Sequence, residues 1–178
     1  MKQNPPPPPL FCLQSDLLSE AGFLRHGFST REGGVSEEPF ASWNFSTSTG
    51  DNPEAVETNY QILADRIGVD RSAIRSSYQV HSDRVLVLEE TQTLTVDEKA
   101  DGLISLNDGL VVAVKTADCV PLLFADPISG AVAAVHAGWR GVVNKIAIRT
   151  LELLRERHPT AQPLVAIGPH ICAKCFQV

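Results

Sequence analysis

The sequence predicts a mixed α/β domain, and three observations carry that reading. One stretch repeats its apolar residues at helical spacing between clear start and stop signals. Several short runs rich in Val, Leu and Ile read as strands. The length, 178 residues, suits one domain around one core.

The helix is the clearest element. Asn52 stands as N-cap before Pro53 at the first helical position, Glu54 and Glu57 follow, and Gly68 lies beyond the last turn. Val56, Tyr60, Leu63 and Ile67 recur on one face, which predicts a single buried stripe. Upstream, residues 23–28 read as a short strand, and residues 29–36, with Gly33 and Gly34 adjacent, as a loop. Downstream, residues 78–88, 102–105, 110–116, 120–125 and 131–136 read as strands. Asp126, Pro127, Ser129 and Gly130 turn the last two into a hairpin, and its nearly all-apolar strands predict a central position covered on both faces. A second helix is expected over residues 143–158, with Ile146, Leu151 and Leu154 inward and Arg149, Glu152, Arg155 and Arg157 in water. A last strand, residues 164–167, leads into Gly168 and Pro169. At the start, Pro5–Pro9 favour polyproline II, so residues 1–20 are expected to form an arm and lead-in, and residues 21–178 the domain.

Composition narrows the function. Hydrophobic residues make up 43% and charged residues 20%, an ordinary globular mixture. A net charge of -6 and a pI near 5.3 provide no positive field for nucleic acid or for an anionic membrane surface. No secretory leader or membrane-spanning run is legible, and four unevenly spaced cysteines, Cys12, Cys119, Cys172 and Cys175, fit reduced thiols in the cytoplasm better than a disulfide framework.

Three phrases place reactive side chains at strand ends: Gln79-Val80-His81-Ser82, Thr116-Ala117-Asp118-Cys119, and Val135-His136-Ala137-Gly138-Trp139-Arg140-Gly141. Taken singly, a histidine in a strand or a buried cysteine is more often packing than chemistry. The spacing matches no local zinc motif. A three-ligand metal site, a metal-free cysteine hydrolase with Cys119 as nucleophile and His136 as base, and plain packing all stay open.

Longer phrases decide more. His26-Gly27-Phe28-Ser29-Thr30-Arg31 with Gly33-Gly34, Asn44-Phe45 with Gly50-Asp51, Gln79-Val80-His81, Ala100-Asp101-Gly102, Thr116-Ala117-Asp118-Cys119-Val120-Pro121 and His136-Ala137-Gly138-Trp139-Arg140-Gly141 together resemble the YfiH family, and Ile167-Gly168-Pro169 and Cys175-Phe176 extend the match. The resemblance implies an α/β (α+β) sandwich of mixed sheets flanked by helices in one domain. It also implies a zinc ion bound by two histidines and a cysteine, which fall here on His81, Cys119 and His136. Members have been described as polyphenol oxidase or laccase, as purine nucleoside phosphorylase with adenosine deaminase activity, and as peptidoglycan editing factor. They generally continue past the Gly-Pro and Cys-aromatic phrase, so a C-terminal extension is expected to be missing here. Ser82 stands where glycine is common and Phe176 where tyrosine is common.

Two imidazoles and a thiolate leave zinc a fourth position, as catalytic zinc requires. Arg140 and Arg31 are candidates to grip phosphate or ribose oxygens, and Asn44 to hydrogen-bond substrate. Asp118 and His26 are candidates for holding a ligand imidazole or moving a proton. Trp139 is expected to plug the core rather than stack on a purine. Cys172 and Cys175 read as packing or peripheral thiols, and His158 and His170 as surface residues.

The expected activity is zinc-dependent phosphorolysis of purine nucleosides, with nucleoside and phosphate as the small-molecule partners, together with adenosine deamination. Alternatives are a zinc amidase editing peptidoglycan precursors, a copper polyphenol oxidase, and a non-catalytic domain braced by zinc. Copper is the weaker choice, because five histidines without a single His-x-His pair do not suit a multicopper site.

Overall fold

The computed structural model describes residues 12–88 and 98–177. The arm expected at Pro5–Pro9 lies outside the described residues. In chain order the elements are β1 (Cys12–Leu13), α1 (Asp16–Ala21), β2 (Phe28–Ser29), α2 (Pro53–Ile67), β3 (Ile74–Arg75), β4 (Val85–Leu88), β5 (Gly102–Ser105), β6 (Val111–Val112), β7 (Val120–Ala125), β8 (Val132–Ala137), α3 (Trp139–Val143), α4 (Ile146–Arg157) and β9 (Leu164–Ile167). The described residues group into two compact units.

The first unit joins β1 to residues 27–73. α2 forms as expected: the Asn52 side chain accepts from Glu54 N, Pro53 opens the helix, and Gly68, at φ 69°, closes it. Val56, Tyr60 and Ala64 are buried, and so is Asn59. Asn59 is the hub of this unit. Its Oδ1 accepts from Val35 N at 2.8 Å, while its Nδ2 donates to Ser36 Oγ at 2.9 Å and to the Asn44 carbonyl at 2.8 Å. Gly34 must be glycine beside it, since a Cβ there would lie 2.3 Å from the Ser42 carbonyl and 2.5 Å from Asn59 Oδ1. The strand expected over residues 23–28 begins only at Phe28 and pairs with β1 in antiparallel register, Leu13 opposite Phe28.

The second unit comprises residues 14–26 and the described residues from Ile74 onward. Its frame is a five-stranded mixed sheet in the order β4-β5-β8-β7-β9. β4 and β5 are parallel, and every other pair is antiparallel. The hairpin β7–β8 holds the expected central place. Ile104, Leu122, Phe124, Val135, Ile146 and Leu154 form the core between this sheet and α4. Asp126, fully buried, pins the hairpin turn by accepting from Ser129 N and from Gln162 N.

Two expectations are corrected here. The helix expected over residues 143–158 starts only at Ile146, as α4, because Lys145 adopts a left-handed φ of 63° that separates it from the short, unexpected α3 ending at Val143. Inside α4, Thr150 is buried and Leu151 only half-buried. The strand expected over residues 78–88 is confined to Val85–Leu88, and His81 before it sits in a bend at φ 57°. No helix of the described residues is long and apolar enough to cross a membrane.

Candidate metal centre

The sheet delivers the three ligand candidates from three segments. His136 is the penultimate residue of β8, the central strand, and Cys119 immediately precedes β7. The register places Val120 opposite Ala137 and Pro121 opposite His136, so the cysteine and the histidine come together at one end of the hairpin. His81 arrives from the bend before β4. The ligand atoms of His81, Cys119 and His136 all lie within 4.8 Å of one another, and the two imidazoles meet edge to face with ring centroids 4.7 Å apart. Tetrahedral zinc with bonds of about 2.0–2.3 Å spaces its ligand atoms roughly 3.3–3.8 Å apart, so small side-chain rotations close the set. Among the described residues this is the sole cluster of its kind.

Asp101 organises the bend and the ligands together. It is fully buried immediately before β5. Its carboxylate accepts from Val80 N (3.2 Å), His81 N (3.0 Å), Ser82 N (2.7 Å) and Ser82 Oγ (2.7 Å), and from His136 Nδ1 at 2.8 Å. Burial pushes its carboxyl upward, but the hydrogen bonds from His136, Ser82 and Val80 outweigh it and hold the pKa at about 2. The group is therefore an ionised acceptor. His136 therefore presents Nδ1–H to it, which makes Nε2 the ring nitrogen available to a metal. The main chain adds a further tie, His136 N donating to Asp101 O at 2.7 Å.

Gly138 forms the wall of the cluster. A Cβ at this position would stand 3.0 Å from His81 Cδ2, 3.4 Å from Cys119 Sγ and 3.6 Å from His136 Cε1. Cys119 is half-buried, and burial, followed by the charges of Asp118 and Asp101, raises its thiol pKa.

The other candidates fall elsewhere. The acceptor on His136 is Asp101, not Asp118 or His26. Asp118 is exposed, and its carbonyl accepts from Ile171 N. His26 braces the start of α1 through Nε2, which lies 2.9 Å from Ser15 N and 3.1 Å from Ser15 O. Arg31 and Asn44 belong to the first unit and are committed to its loops. Arg31 donates to the Ala41 carbonyl at 2.7 Å, and Asn44 Nδ2 donates to Asp51 Oδ2 at 2.9 Å. Arg140 is exposed on α3, its guanidinium 5.3 Å from the Trp139 ring centroid. Trp139 does not plug the core; it is 50% exposed. His158, the C-cap of α4, is half-buried, whereas His170 is exposed. Cys172 and Cys175 are exposed and stand outside the ligand cluster. Asp101 and Gly138 were quoted in the sequence phrases without a role. The usable signal for Asp101 was a carboxylate directly ahead of the apolar run Gly102-Leu103-Ile104.

A family model described as "Multi-copper polyphenol oxidoreductase laccase" matches residues 25–178. The chain belongs to that family. A Streptomyces coelicolor relative named purine nucleoside phosphorylase is 36% identical over 166 residues, 93% of this chain and 67% of the relative. A Corynebacterium glutamicum relative of the same name is 41% identical over 134 residues, 75% of this chain and 54% of the relative. Among solved structures, the Bacillus licheniformis hypothetical protein YfiH superposes with a TM-score of 0.80 at 32% identity, covering 84% of this chain and 60% of that one. YlmD from Geobacillus stearothermophilus gives 0.79 at 33% identity, covering 84% and 59%. The family's mixed α/β fold is thus the fold of this chain, which spans between about half and two thirds of the length of these relatives.

Proposed function

We propose that the chain carries the metal centre of a zinc-dependent purine nucleoside phosphorylase with adenosine deaminase activity, working in the cytoplasm. The observation that carries this reading is the convergence of His81, Cys119 and His136 on one point with Asp101 fixing the His136 tautomer. The relatives' names supply the reaction class.

The donor set fits zinc. Two imidazoles and one thiolate are borderline-soft ligands, and three protein donors leave a coordination position for a reactant. Zinc held there supplies Lewis acidity toward an oxygen atom of a bound reactant. The chain's own residues do the rest. Asp101 fixes the tautomer and ring orientation of His136, and its hold on the amides of residues 80–82 sets the bend that presents His81. Gly138 leaves the space in which the donors meet. Arg140, exposed and four residues beyond His136, offers a guanidinium fork for phosphate, and the half-exposed Trp139 beside it offers an apolar face for a purine. A copper site of the multi-copper type asks for several clustered histidines, and the described residues gather two.

The test follows adenosine and inosine by chromatography over zinc-loaded protein, with and without phosphate, beside Cys119→Ala and a chelated sample. Free base that forms only with phosphate, and in neither control, supports phosphorolysis; inosine formed from adenosine supports deamination. Activity that survives complete metal removal but is abolished by alkylation of Cys119 would replace this reading with cysteine hydrolase chemistry.

A further inference from the structure

Beyond β9 the chain is tied back to the metal-bearing hairpin by two main-chain bonds. Gly168 N donates to Pro121 O at 2.9 Å, and Ile171 N donates to Asp118 O at 3.0 Å. It then folds into a turn in which Cys175 N and Phe176 N both donate to Cys172 O, at 3.0 and 3.1 Å. The turn brings Cys172 Sγ and Cys175 Sγ to 3.1 Å, both exposed, in a single shared hydrogen bond. A disulfide of about 2.05 Å needs an approach of only about 1 Å, which side-chain rotation supplies.

We propose that Cys172 and Cys175 form a thiol–disulfide exchange site, oxidised by low-molecular-weight disulfides to an intrachain bond and reopened by thiols. The two sulfurs are not equivalent. The hydrogen bond shared with Cys175, with backbone donors of Cys175 and Lys174, lowers the Cys172 thiol pKa, and the same shared bond raises that of Cys175. Cys172 is thus the attacking group and Cys175 the resolving one. The Cys172 thiolate attacks one sulfur of the small disulfide, forming a mixed disulfide and expelling one small thiolate. Cys175 gives its proton to solvent and attacks Cys172 Sγ, expelling the second thiolate. Two protein thiols are oxidised and one small disulfide is reduced to two thiols. Cys12 and Cys119 are half-buried, and burial raises both thiols, which sets them apart from this pair.

The metal-carrying protein is equilibrated in glutathione buffers of stepped oxidation ratio, quenched in acid, alkylated and digested with trypsin. Cleavage after Lys174 leaves the two cysteines on different peptides, so the disulfide appears as a linked pair two hydrogens lighter than their sum. The linked pair is expected to rise with oxidation and vanish on reduction. Cys175→Ser is expected to stop at a glutathione adduct on Cys172, and Cys172→Ser to form its adduct at least about tenfold more slowly. Two fully alkylated cysteines in the most oxidising buffer, or equal adduct rates in the two variants, would overturn the proposal.

Discussion

Asp101 Oδ1 lies 2.8 Å from His136 Nδ1, and the same carboxylate gathers the three backbone amides of residues 80–82. One buried anion therefore fixes both the tautomer of His136 and the backbone under His81. Asp101→Asn keeps the shape but turns one acceptor into a donor facing N–H groups. Metal-free protein is expected to lose about 1–3 kcal/mol in urea unfolding, and zinc affinity, read by chelator competition, is expected to fall about 10–100-fold. Unchanged affinity would remove Asp101 from the centre.

Gly138→Ala tests the wall. The glycine has φ of -66°, so alanine meets no backbone strain, and the atoms nearest its methyl belong to His81, Cys119 and His136. Unfolding of the metal-free protein should stay within about 0.5 kcal/mol of wild type. Zinc should bind about tenfold more weakly, equivalent to about 1.4 kcal/mol. A large loss of stability with intact metal binding would contradict the geometry.

In the first unit, Asn59→Ala removes a buried amide that joins α2 to the loop residues Val35, Ser36 and Asn44. Orphaned donors and acceptors there should cost about 2–4 kcal/mol. Hydrogen exchange should quicken at Val35 N, whose acceptor is lost, while the sheet amides of β7 and β8 keep their protection.

Acid should weaken the fold through two carboxylates. Asp101 sits at about 2, and Asp126, despite burial, is held below its ordinary value by Ser129, Gln162 and Ile128. A depressed folded-state pKa contributes stability that is present above the unfolded value of about 3.9. That stability is lost as pH falls through the folded value, because the unfolded chain takes up the proton first. With chelator present, the urea midpoint should drop between about pH 5 and about pH 2, and Asp126→Asn should flatten the slope. A midpoint independent of pH would sink the assignment.

Local pattern made the helix at Pro53–Ile67 and the strands β5, β7, β8 and β9 legible, because apolar periodicity and caps are encoded within a few residues. The three residues that the structure brings together, His81, Cys119 and His136, were legible as phrases. The bend at His81 was not, because an acceptor twenty residues away holds its amides. The start of α4 at Ile146 was hidden as well, since neither glycine nor proline marks Lys145 as the residue that takes a left-handed φ. α1 was overlooked although Ser15 caps it and Gly22 closes it, because six residues hold too little periodicity to register.

The register of β8 between β5 and β7 has a further meaning for the life of the chain. Asp101 leads into Gly102, which pairs with Val135, and Cys119 leads into Val120, which pairs with Ala137. Slipping either pairing by one position turns every side chain of the moved strand to the other face. Convergence of the three donor side chains therefore waits for both pairings, so the cluster itself is a timestamp of completed sheet assembly.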